Sequence, residues 1–85
     1  MTDTSITPFY RSFLLGRTVH LDGIADMPMR ELDMLNVETR AALQEATERH
    51  RHIEDKNSDE ASTEYRRMKI ARYFQAAIEI TLKNR

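Results

Sequence analysis

Apolar residues in the second half of the chain recur at helical spacing, and the polar run Asp55-Lys56-Asn57-Ser58-Asp59-Glu60 divides them in two. This pattern predicts two long helices joined as an αα-hairpin, over 37–56 and 59–83. Ser58 supplies an N-cap for the second helix, and Asp59 and Glu60 fall in its first turn, where the helix dipole favours acids. One apolar stripe of that helix is Tyr65, Met68, Ala71, Phe74, Ile78 and Leu82. A second is Ile70, Tyr73, Ala77 and Ile80. A surface helix usually carries one such stripe, so this helix is expected to be central in the fold or covered on a second side by another chain.

The first half is less regular. Residues 1–8 read as a flexible or extended arm ending at Pro8. Phe9 to Leu15 is dense in aromatic and aliphatic groups and stops at Gly16. Arg17 to Leu21 then alternates polar with apolar, and Asp22-Gly23 is a turn dipeptide. Two structures fit: a β-hairpin over 9–21, or a short helix over 8–15 with Thr7 as N-cap and Pro8 in first position. The helix is preferred because a lone two-stranded hairpin is marginal in water. Further on, Asp26 can cap a helix opened by Met27 and Pro28, with Met29, Leu32 and Leu35 on one face. Asn36 either caps a new helix at Val37 or lies within a continuous one. The expectation is a helix over 28–35, a bend, and a helix over 37–56. The fold class expected is therefore all-α: one domain, 1–85, a small helical bundle built on the C-terminal hairpin.

Composition limits what such a bundle can do. Eighty-five residues make a single small core with little spare stability. The chain has no cysteine, so disulfides and zinc-thiolate sites drop out, and a reducing, cytoplasmic setting is compatible. The N-terminal sequence lacks the basic and apolar regions of a secretory signal, and the longest apolar run, Phe13-Leu14-Leu15, is far short of a membrane span. Net charge is −1 overall. Residues 58–85 nevertheless carry six Lys or Arg against four acids, while 1–35 carry three Arg against five acids. The last helix is thus the one candidate for an electropositive surface.

Catalytic chemistry finds little support. His50 and His52 stand two apart on a helix and diverge by roughly 200°. Neither belongs to a His-x-x-x-His or Glu-x-x-His pair of the kind that holds a metal. They suit the partly negative C-terminal end of a helix instead. His20, two residues before Asp22, reads as a turn residue. No serine sits in a Gly-x-Ser-x-Gly elbow, and Gly16 and Gly23 stand too far apart to form a phosphate-binding loop. No catalytic residue, metal site or cofactor is expected.

Two surfaces remain, both on the last helix. Met68, Ile70, Tyr73, Phe74, Ala77 and Ile80 form an apolar candidate interface; a homodimer, a four-helix arrangement of two hairpins, is the expected state, and another protein the expected partner. Arg66, Lys69 and Arg72, with Tyr65 and Tyr73 beside them, form a basic row that could follow a nucleic-acid backbone. The plain alternative for the row is a solvated face paired with Glu45 and Glu48 of the preceding helix. The function expected is a small, non-enzymatic interaction module, an adaptor, regulator or inhibitor of a larger protein; the alternative is a nucleic-acid-binding helical module.

Overall fold

The computed structural model describes residues 8–85. Its order is strand β1 (Phe9–Ser12), strand β2 (Arg17–His20), a 3-10 helix (Leu21–Asp26), α1 (Met29–His52) and α2 (Asp59–Lys83). The chain is mostly helical, as expected, with α1 and α2 packed as a hairpin. Residues 1–7, including the proposed Thr7 cap and most of the expected arm, lie outside the described residues.

Residues 9–20 form an antiparallel β-hairpin, not a helix. The register sets Tyr10 opposite Val19 and Ser12 opposite Arg17. Gly16 closes the turn at φ 69, a left-handed conformation that costs glycine nothing. The hairpin is not a lone one. Tyr10 and Val19 turn inward, and the Tyr10 ring lies 5.9 Å from that of Phe74 on α2. On α1, Glu38 accepts hydrogen bonds from Ser12 Oγ at 2.6 Å and from the Phe13 N–H at 2.7 Å. Ser12 Oγ in turn accepts from the Leu15 N–H at 3.0 Å. Arg17 adds an ion pair to Glu31 of α1 at 2.7 Å. Packing and charge from helices more than ten residues away stabilise a turn that would be marginal alone.

The helix expected to bend at Asn36 runs straight through. Its inner line has buried residues on both sides of Asn36, Leu32 and Leu35 before it and Thr39 and Ala46 after it. Thr39 does not break it, because its hydroxyl donates to the Leu35 carbonyl at 2.9 Å and so meets its hydrogen-bonding need within the helix. The start differs too. Asp26 closes the 3-10 helix, and Pro28 is the N-cap of α1 without a side-chain bond. The far end stops at His52, four residues before the expected 56. There Lys56 Nζ turns back to the carbonyls of His50 and Arg51, and Arg49, His50, Arg51 and His52 fill the last turn with positive or titratable groups. α2 keeps the expected bounds, with Ser58 Oγ accepting from the Ala61 N–H at 3.1 Å.

The core lies at one end of the helical pair. Phe74, Ile78, Leu32 and Leu35 meet Ile24 of the 3-10 helix, Val19 of β2 and Met27 there. Arg85 closes this end by donating from Nη2 to the carbonyls of Ala25 and Met27 at 2.8 and 2.7 Å. At the other end the helices face each other through smaller groups, Ala46 and Ala61, with Met68 and the carboxylate of Glu64.

Candidate functional site

The inner line of α2 is Ala61, Glu64, Met68, Ala71, Phe74 and Ile78. Before Met68 it passes through Glu64 where Tyr65 was expected, and Tyr65 stands 51 % exposed. The alternating three- and four-residue steps needed to keep facing α1 select position 64, whatever its polarity. Met68 and Phe74 are therefore core residues and are not available to a partner. Ile70 and Ala77 are partly buried against the same core. Of the six residues expected at an interface, Tyr73 and Ile80 alone are well exposed, at 47 % and 59 %.

These two belong to a longer outer stripe. Tyr65, Lys69, Tyr73, Ala76, Ile80 and Lys83 follow one another at steps of four and three, and all six are exposed, so they share one side of the helix. Lys69 Nζ lies 5.9 Å from the centre of the Tyr65 ring, within reach of a cation–π attraction. The Tyr65 ring also lies 6.3 Å from the His50 ring of α1.

Arg66, Lys69 and Arg72 do not form a straight row. At about 100° per residue, Arg66 and Arg72 stand roughly 120° apart around the helix and flank the stripe on opposite sides. Among the described residues none of the three makes an ion pair. The acids of α1 proposed to neutralise them are engaged within their own helix: Glu45 with Arg49 at 3.6 Å, and Glu48 with Arg51 at 3.3 Å and His52 at 3.7 Å. Apolar and basic groups thus occupy one surface, where sequence alone treated them as two.

The remaining histidine, His20, rests its ring 6.1 Å from Phe9. Among the described residues no three His, Asp or Glu side chains converge as a metal site would require, and no helix is long and apolar enough to cross a membrane.

A second exposed apolar feature lies away from α2. The hairpin tip carries Phe13, 88 % exposed, and Leu14 beside it. Glu38 fixes this tip from below. Sequence gave no hint of that, because Glu38 lies 25 residues from Phe13.

Tyr10, beneath the hairpin, offers a pH test of the packing. Burial, then the charge of Glu38, a hydrogen bond with Glu38 and the charge of Glu45 push its phenol up to about 12 from 10.0. The folded state holds the proton more tightly than the unfolded chain. Its contribution to stability is therefore complete below pH 10 and is lost as pH rises through 12. Urea melts from pH 9 upward should show falling stability, and Tyr10→Phe should flatten that fall. An unchanged slope in Tyr10→Phe would show that the phenol is not held this way.

No protein-family model, curated protein or solved structure matches the chain.

Proposed function

We propose that the chain is a protein-interaction module, working in the cytoplasm, that docks on a larger protein through the outer stripe of α2. The observation that carries this reading is the stripe itself. Two tyrosines and an isoleucine stand exposed on a rigid helix, interleaved with Lys69 and flanked by Arg66 and Arg72. Tyrosine and arginine are over-represented among residues that dominate binding energy. The chemistry suits an apolar patch rimmed with acids. A homodimer through this face would bring two sets of Arg66, Lys69 and Arg72 onto one interface, so a different, acidic protein fits the stripe better than a second copy does.

The test compares the wild-type chain with the double variant Tyr73→Ser/Ile80→Ser as bait in the native host, with mass spectrometry of what is retained. Both residues are exposed, so the variant's melting should stay close to the wild type's, within about 0.5 kcal/mol each. A partner held by the wild type should be weakened tenfold or more in the variant. A partner held equally by both would remove α2 from the interaction.

One observation favours a second reading, nucleic-acid binding: Arg66, Lys69 and Arg72 are free of ion pairs among the described residues, with tyrosines between them. Fluorescence anisotropy with duplex DNA and RNA at two salt concentrations separates the readings. A backbone-tracking helix binds at low salt and loses affinity steeply with added salt and with Arg72→Ala. No binding at low salt removes this reading.

A further inference from the structure

The outer edge of β1 borders a groove of about 390 Å³ between the hairpin and the lightly packed half of the helical pair. Phe9, Tyr10 and Arg11 form one wall. Ala42 and Ala46 of α1 and Ile70 of α2 supply apolar surface, and Glu64, Arg67 and the Glu45–Arg49 ion pair complete the lining. Two independent observations describe what would fill it.

The first is the backbone. The Leu21 N–H donates to the Pro8 carbonyl. By the alternation of an antiparallel ladder, Tyr10 and Ser12 then bond to β2, while the N–H and C=O groups of Phe9 and Arg11 point away from it. Among the described residues those outward groups have no hydrogen-bond partner. They form a short strand edge of the kind that accepts an added strand.

The second is Glu64. The residue is 8 % exposed, and its Oε1 is buried without a hydrogen-bond donor. Arg67 approaches only the other oxygen, at 3.6 Å, too far for a hydrogen bond. A buried acceptor left empty in this way calls for a donor.

We infer that this groove binds an extended segment of another protein, which adds a strand to the edge of β1 and sets a lysine or arginine against Glu64. The strand would lie over Ala42, Ala46 and Ile70, extending the cover that the hairpin gives the other half of the helices. A second copy fits poorly. Added edge to edge, its inward-facing strand residues would be Tyr10, Ser12, Val19 and Arg17, and Arg17 is already bonded to Glu31. The first seven residues contain an acid and no Lys or Arg, so an exchanged arm offers no basic side chain either. This site is separate from the α2 stripe and does not depend on it.

Phage-displayed random octapeptides panned on the whole chain test the inference. Selected sequences should place Lys or Arg between β-branched residues. Glu64→Gln should weaken their binding tenfold or more, and so should replacing the peptide's basic residue with Glu. Arg11→Pro removes an outward N–H without touching the bonds to β2, a position where an edge strand tolerates proline. It should abolish binding, whereas Arg11→Ala should preserve it. If Arg11→Pro fails to fold by circular dichroism, peptides N-methylated on one or the other alternate set of amides replace it, and only one set should lose binding. The inference is overturned if no peptide is enriched. It is equally overturned if Glu64→Gln and the backbone changes leave binding intact, or if the free protein is a dimer that Arg11→Pro dissociates.

Discussion

Phe74→Ala should leave the protein close to unfolded at physiological temperature. Phe74 is fully buried and stands where both helices, the hairpin and the 3-10 helix meet. Truncating a buried phenylalanine costs about 3–5 kcal/mol, through lost transfer energy and the cavity left behind. A chain of this length has roughly 4–13 kcal/mol in total. In a domain of this size each kcal/mol moves the melting point by about 4–8 °C, so thermal denaturation should shift by roughly 15 °C or more. Tyr73→Ala, one residue away on the exposed side, serves as the control and should melt near the wild type. A shift of only a few degrees for Phe74→Ala would mean that the core is not centred there.

Glu38→Ala should release the hairpin without dissolving the helical pair. The carboxylate accepts from the buried Ser12 hydroxyl and from the Phe13 amide. Hydrogen bonds to a charged group are worth about 1.5–3 kcal/mol each, and a buried donor left without a partner adds its own penalty. A loss of about 3 kcal/mol follows. Glu38→Gln keeps the shape with a neutral acceptor and should lose less. The Phe13 amide proton is the direct reporter: its downfield NMR resonance should move toward the random-coil position in Glu38→Ala, while helical signals persist. If that resonance stays in place, something other than Glu38 holds the turn.

The hairpin also shows where reading from sequence reached its limit. α2 was legible end to end, because Ser58, Asp59 and Glu60 announce its start and its apolar spacing is regular. The strands of residues 9–20 were legible only as one of two alternatives, because what decides for them lies in Glu38 and Phe74, far along the chain. The bend expected at Asn36 rested on local capping chemistry, and the buried line through Leu35 and Thr39 overrode it. The candidate surface was half legible. Tyr73 and Ile80 are exposed as an interface requires, but Met68 and Phe74, equally apolar in sequence, are core. Spacing alone does not say which of two apolar stripes faces inward. Glu64 was hidden for the converse reason: an acid at an interior position looks like a surface residue until the helix is docked.

The uneven filling of the helical pair has a kinetic consequence. Phe74, Ile78, Leu32 and Leu35 tie one end together, whereas Ala46, Ala61 and Glu64 leave the connecting-loop end with few large apolar groups between the helices. Local opening free energies follow apolar packing. Native-state amide exchange should therefore divide the molecule into two cooperative units, the slow one built on the hairpin-covered end and the fast one around residues 46–64. A ligand that spans both would slow the second toward the rate of the first.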